Sequence, residues 1–335
     1  MWWPLAFLFI GLGSQAFSQN TPDSLSRTLQ EVVVAANRSP DSLNKVPQEI
    51  KVISASTIRL FQPQTTADLL QSSANVFVQK SQQGGGSPVL RGFEANRICL
   101  VIDGVRMNNA IYRGGHLQNV LTIDSWSLDR VEVLQGPASV MYGSDALGGV
   151  LHFVTRKPEL AKTGQNRDLS SNMFFRYGSV NQEKTAHAGF NIGFRKFAAL
   201  TSLTFSSFGD LMMGKNNSFF SDSTDFGKRP FYVSRVNGKD SVIKNSNPNL
   251  QTGSGYNQFN LVQRFRFQPK PNQEHGINFQ VSNTSDVPRY DRLTETKNSN
   301  PKYAEWYYGP QRRILAAYDF EHRNDTVHPT RILHI

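Results

Sequence analysis

VEVLQGPASVMYGSDALGGVLHFVTRK, residues Val131 to Lys157, decides how this chain is read. Val131–Leu134 has the apolar, β-branched character of a short strand. Gly136-Pro137 ends it. Pro137 suits the first turn of a helix, where a missing N–H costs nothing. Tyr142-Gly143 and Gly148-Gly149 then permit sharp reversals and close backbone contact. A second strand, Val150–Thr155, runs to Lys157. The spacing predicts a compact strand–turn–strand unit.

Upstream, residues 47–160 read as one small α+β domain. Glu49–Ile53 is a strand. Ser54 or Ser56 caps a short helix through Leu60, and Thr66 caps another over Ala67–Ser72. Asn75–Gln79 is extended. Gly84-Gly85-Gly86 lacks a following Gly-Lys-Ser/Thr and so reads as a loop, not a phosphate cradle. Leu90-Arg91-Gly92-Phe93 leads to the strand Leu100-Val101-Ile102, closed by the turn pair Asp103-Gly104. Asp103 and Asp145 sit beside glycines, where Asp serves turns. Cys99 is the chain's single cysteine, so no intrachain disulfide forms, and its aliphatic neighbours suit a small buried hydrophobe.

Beyond about Ser170 the texture changes to period two. Met173, Phe175 and Tyr177 alternate with polar positions. The same alternation returns at Ala186–Phe194, Phe197–Phe205, Phe259–Phe267, Ile277–Val281 and Ile314–Phe320. These are about six strands, each near the length that crosses a membrane as β-structure. A soluble β-sandwich would alternate as well. Residues 209–253 form a long polar insert, read as a loop without regular structure and therefore as a functional one.

Composition narrows the classes. The 335 residues carry a formal charge of +10, and the mean hydropathy is −0.43. After the N-terminus no run approaches the roughly 18 apolar residues of a spanning helix, a test that barrels escape. The 36 Lys and Arg are dispersed, which argues against nucleic acid as partner. They read as a solvated surface or as the lining of a pore for anionic ligands. Residues 1–18 have an apolar core at Leu5–Ile10 and small residues at Ala16 and Ser18, so they read as a signal peptide cut after Ser18, an N-terminal anchor being the alternative. Residues 19–46 read as flexible. Within them Leu29–Ala36 favours an extended strand, able to pair with another protein's sheet edge or to begin the next domain. No Gly-x-Ser-x-Gly, His-Glu-x-x-His or Cys-x-x-Cys occurs, so no enzyme, cofactor or metal centre is expected.

The wording of Val131–Lys157, of "LRGF" and of "LVIDG" resembles the plug domain of TonB-dependent outer-membrane receptors. The resemblance implies an α+β plug followed by antiparallel transmembrane β-barrel strands, part of a barrel of about 22 strands. Residues 165–335 supply only about six, so an incomplete barrel is expected. It implies a TonB box at residues 29–36, with Leu29, Glu31, Val32, Val33 and Val34 gripped by TonB and its inner-membrane energising complex. It implies a cell outer-membrane location among lipid, and active uptake of a small iron-bearing ligand such as a siderophore or haem. A secreted or periplasmic β-rich binding or adhesion protein is the alternative.

For the ligand, Arg106, Asn108, Asn109, Tyr112, Arg113 and His116 mix cations, amides and an aromatic after the Asp103-Gly104 turn. An ordinary polar connection reads equally well. Neutral His116 has the chemistry to ligate iron. Asn247-Pro248-Asn249-Leu250 matches a tetrapeptide of haem-receptor loops, although the companion Phe-Arg-Ala-Pro is absent. Trp306, Tyr307 and Tyr308 suit a membrane-interface girdle. Arg91 and Glu132 are expected to wire the plug to the barrel, as plug arginines do to barrel carboxylates in the family, with plain surface exposure as the alternative.

Overall fold

The computed structural model describes residues 33–34, 41–42, 49–73, 76–80, 82–107, 120–214, 228–322 and 331–334. The decisive stretch folds as its spacing requires. Leu128–Gln135 is a strand, Gly136 turns with φ 104°, Ser139–Tyr142 is a single helical turn, and Gly149–Thr155 is the returning strand. Gly149 cannot be replaced cheaply: its φ is +148°, and an added Cβ would lie 2.4 Å from the Leu134 carbonyl oxygen.

These two strands are the middle of a five-stranded sheet. Its spatial order is Glu49–Ser54, Leu128–Gln135, Gly149–Thr155, Ile98–Ile102, Val105–Arg106. Every pairing is antiparallel except Gly149–Thr155 with Ile98–Ile102, which is parallel. A parallel pair buried on both faces reads as a continuous apolar run. Ile98–Ile102 and Gly149–Thr155 are accordingly buried at every position.

Two short helices cover the sheet. Ser54 caps Ala55–Phe61 by accepting from the Thr57 N–H. The second helix, Thr66–Ser73, is capped by Thr65 rather than Thr66. Thr65 Oγ1 accepts from the Asp68 N–H, and the Asp68 carboxylate accepts from the Thr65 N–H, a reciprocal capping box. Thr66 instead donates to the Ile123 carbonyl, tying the helix to a distant segment. Leu69, Leu70, Leu100, Val131, Leu151 and Phe153 form the core. Cys99 is buried beside Val101, Tyr142 and Val150, as a small hydrophobe.

The second part is a seven-stranded antiparallel meander. Its strands are Arg167–Gly178, Glu183–Phe194, Phe197–Phe208, Tyr256–Lys270, Gln273–Thr284, Arg312–His322 and Arg331–His334. The sequence reading lacked the last of these. Among the described residues the sheet does not close on itself. The polarity of its two faces settles what kind of sheet it is. Phe175, Ile192, Phe205, Phe267, Ile277 and Ile314 are exposed, whereas Glu183, Thr185, Asn260, Asn278, Gln280 and Ser282 are buried. A soluble sandwich would bury the apolar rows. This wall turns them outward and keeps the polar rows inside, which is the arrangement of a membrane barrel.

The insert 209–253 is not structureless. It carries the hairpin Phe231–Val236 with Lys239–Lys244. The reversal at Asn237-Gly238 has both φ positive, 50° and 77°, as a tight two-residue hairpin turn needs. Leu211–Met212 and Leu250–Gln251 pair at its base. There one Asp210 carboxylate oxygen accepts from the Gly253, Ser254 and Gly255 N–H groups.

Candidate functional site: the seam between plug and barrel wall

The α+β domain sits against the polar face of the wall, and side-chain hydrogen bonds hold the two together. Their centre is the turn after Ile98–Ile102. Asp103 and Gly104 both take positive φ, 47° and 86°. That conformation swings the Asp103 carboxylate toward the wall. The carboxylate accepts from the Thr155 N–H at 2.8 Å and the Thr155 hydroxyl at 2.7 Å, both within the plug. From the wall it accepts from Asn278 Nδ2 and Gln280 Nε2, each at 2.8 Å. Arg264 lies 3.6 Å away as counter-charge and donates to the Thr155 hydroxyl oxygen at 2.8 Å. Burial by itself would raise the Asp103 pKa. Arg264, with the bonds from Thr155 and Asn278, outweighs burial and holds the carboxyl below its ordinary value.

Further contacts run along the same seam. Arg313 donates to Gln280 Oε1 and to the Thr122 carbonyl, both at 2.9 Å. Gln258 donates to the Leu121 carbonyl at 2.7 Å. The Thr204 hydroxyl donates to Asp124 at 2.7 Å, which leaves its oxygen to accept from His187 Nδ1 at 2.8 Å. His187 is therefore the tautomer protonated on Nδ1. Towards the long-loop end, Glu183 on the wall accepts from Gln64 of the plug at 2.7 Å and from Arg176 Nε at 2.8 Å. Arg176 also reaches the Gln62 carbonyl. Apolar contact across the seam comes from Leu315 with Ala317 against the plug core, from Leu121 against Phe208, Tyr256 and Val287, and from Trp126 of the plug packed on Phe174 of the wall at 4.3 Å between ring centroids. A cleft of about 320 Å³ opens between the helix Ala55–Phe61 and the wall, with Arg59 and Arg156 facing Asn191 and Ser202.

The expected wiring residues behave differently. Arg91 bonds Glu49 at 2.8 Å and Gln135 at 3.3 Å, inside the plug, and its side chain is more than half exposed. Glu132 is fully buried in the plug sheet and bonds Arg130 at 2.8 Å and His152 at 3.3 Å. The sense of the charges across the seam is reversed from the expectation: the arginines Arg264 and Arg313 come from the wall, and the carboxylate Asp103 from the plug. Asp103 combines its turn-forming φ with the clamp, and turn chemistry alone did not reveal the second role. Asp145 pairs with Arg106 at 2.8 Å.

Of the candidate ligand residues only Arg106 is described, exposed and engaged with Asp145. Asn108, Asn109, Tyr112, Arg113 and His116 lie outside the described residues, as do Leu29, Glu31 and Val32. Val33–Val34 is extended and pairs with Asp41–Ser42, apart from the five-stranded sheet. The tetrapeptide Asn247–Leu250 does turn work. Asn247 Oδ1 accepts from the Asn249 N–H, and Asn245 Oδ1 from the Asn247 N–H. The loop aromatics engage loop cations: Arg289 lies over Tyr308, and Arg292 over Trp306.

A small α+β domain docked by its polar contacts on the inward face of an antiparallel membrane-barrel wall defines a plugged outer-membrane barrel. Residues 42–150 match the family described as TonB-dependent Receptor Plug Domain. A curated relative, the vitamin B12 transporter BtuB of Vibrio vulnificus, is 36% identical over 137 residues, which is 40% of this chain and 22% of that protein. The chain thus spans about a fifth of the length of the curated relatives it matches. Among solved structures, the copper transporter OprC is similar with a TM-score of 0.58 at 14% identity, over 84% of this chain and 36% of that one. The ferripyoverdine receptor of the Pseudomonas aeruginosa outer membrane is similar with a TM-score of 0.58 at 15% identity, over 88% and 34%. At such identities these structures speak for the fold alone. Residues 42–150 thus carry the plug domain of the TonB-dependent receptor family, and the relatives and solved structures that the chain resembles are Gram-negative outer-membrane proteins.

Proposed function

We propose that this chain provides the plug and the adjoining wall of a receptor that imports a scarce nutrient across the outer membrane, driven by TonB. The observation that carries this reading is the chemistry of the seam. Plug and wall meet through charge-assisted and amide hydrogen bonds, with a smaller share of apolar contact. Such bonds exchange with water at a modest net cost, about 0.5–1.5 kcal/mol for a neutral pair and about 1.5–3 kcal/mol where one group is charged. A plug held this way can shift against its wall without unmaking its own core. The cleft beside Arg59 and Arg156 already separates part of the plug from the wall.

In this reading ligand binding at the long-loop end, with Arg106, Asn108, Asn109, Tyr112, Arg113 and His116 among the contacts, shifts the plug. Residues 29–36 then become available to pair with TonB as an added strand. The energy arrives mechanically, and no covalent chemistry is required of the chain. The cargo we favour is iron-bearing, a siderophore complex or haem. A corrin is the second reading, because the relatives matched at 36% and 34% identity are named vitamin B12 transporters.

Deleting residues 29–36 in cells that express the receptor should abolish uptake while leaving ligand binding at the cell surface intact. Undiminished uptake would remove TonB from the mechanism. Competition among a ferric siderophore, haem and cobalamin for surface binding separates the cargo classes.

A further inference from the structure

The wall ends on one side in tight turns at Arg195-Lys196 and Pro271-Asn272. One ladder row beside these turns is almost wholly aromatic. Arg167 pairs with Phe194, Phe197 with Phe267, Phe267 with His275, and His275 with Phe320. Residues paired directly across an antiparallel ladder share a face, so this row runs outward across six strands. Its rings touch: His275 lies 6.0 Å from Phe267 and 4.9 Å from Phe320, centroid to centroid.

Charge is sorted by face at this rim. The carboxylates point inward. Glu274 binds Arg266, which itself donates to the Pro158 carbonyl of the plug. Asp319 lies against Gly276 in the row paired with Arg266. Glu321 pairs with Glu274, and Asp168 with Gly193. Among the described residues, the outward row and these two turns carry only basic or neutral groups: Arg167, Arg195, Lys196, Lys270, His275 and His322. The first four are exposed. An aromatic band edged by cations, with the described wall acids turned inward, matches the boundary between acyl chains and anionic headgroups.

We propose that the short-turn rim of the wall, through Arg167, Arg195, Lys196 and Lys270 above the Phe194–Phe267–His275–Phe320 row, docks on acidic phospholipid headgroups. This rests on the membrane-barrel reading of the wall. The lipid contact is local and charge-selective, and it does not follow from the chain's overall +10 charge. It sets the depth at which the turns stand relative to the bilayer.

The test is flotation of the full chain with vesicles of phosphatidylcholine alone and of an equal phosphatidylcholine–phosphatidylglycerol mixture, at low and high salt. The rim variant is Arg195→Gln, Lys196→Gln, Lys270→Gln. The control, Arg235→Gln, Lys239→Gln, Lys244→Gln, removes the same charge from the hairpin of the long insert. The expected result is a salt-sensitive preference for the acidic vesicles that falls by about fivefold per rim cation. Binding to neutral vesicles stays unchanged, and the control behaves as the parent. An equal loss in rim variant and control, or no acidic preference in the parent, overturns the proposal while the membrane reading stands. Absence of binding to either vesicle overturns the membrane reading and this proposal with it.

Discussion

The guanidinium of Arg264, on the fourth strand of the wall, stands 3.6 Å from the carboxylate of Asp103, in a turn of the plug, and both side chains are less than a tenth exposed. Removing one partner of such a pair leaves a buried charge uncompensated, at about 3–5 kcal/mol. Asp103→Ala should loosen the plug by that order, and Arg264→Gln similarly. The double variant should cost less than the sum, because neither charge is then left alone. Hydrogen exchange at the Thr155 amide, which donates to Asp103, reads the effect directly. Full additivity would show that the two residues do not act as a unit.

The same carboxylate sets an acid limit. Its pKa in the folded chain is held below the ordinary value of an unfolded Asp, which is about 3.9. A depressed carboxylate contributes stability that is complete above the unfolded value and is lost as pH falls through the folded one. Plug docking should therefore be flat from about pH 8 to pH 5 and weaken below about pH 4. In Asp103→Asn the acid-induced loss at Thr155 should shrink. An unchanged acid profile in that variant would place the sensitive group elsewhere.

Gly149→Ala is expected to be among the costlier single changes in the plug. The backbone there has φ +148°, and the Leu134 carbonyl occupies the place of the new methyl. Strain of this kind costs about 1–3 kcal/mol before any clash is counted. Denaturant unfolding followed by Trp126 fluorescence should show a lower midpoint, whereas Gly164→Ala, with φ +89° but open space around it, should cost less.

Asp210→Ala should free the base of the long insert without disturbing the wall. One carboxylate oxygen gathers three backbone N–H groups there, and bonds to a charged acceptor are worth about 1.5–3 kcal/mol. Amides 253–255 should exchange about tenfold faster or more. Those of Phe197–Phe208 should keep their protection.

Much of the fold was legible because it is local. The alternation at Phe197–Phe205 and Phe259–Phe267 placed wall strands to within a few residues, and Gly136-Pro137 with Gly148-Gly149 placed the plug's closing turns. Asn237-Gly238, flanked by Phe231, Val233 and Val242, carried a hairpin signal that the polarity of the insert concealed. Thr65 and Thr66 are equally good caps by composition; only the Asp68 side chain and the Ile123 carbonyl divide their roles. The seam was hidden for another reason. Asp103 meets Arg264, Asn278 and Gln280 across more than 150 residues of chain, and nothing in a turn motif encodes partners that far away. Arg91 looked like wiring, yet its guanidinium is engaged by Glu49 and Gln135 within its own domain.

Glu49–Ser54 is the outermost strand of the plug sheet, bonded along one side only, to Leu128–Gln135. The parallel pair at the centre, with Asp103 at its end, lies two strands further in. A load entering from the chain ahead of Glu49 therefore meets the sheet at its margin. The layout fixes an order of disassembly: six residue pairs peel first, while the strands that carry Asp103 and Thr155 remain assembled and can serve as the template on which the margin re-forms.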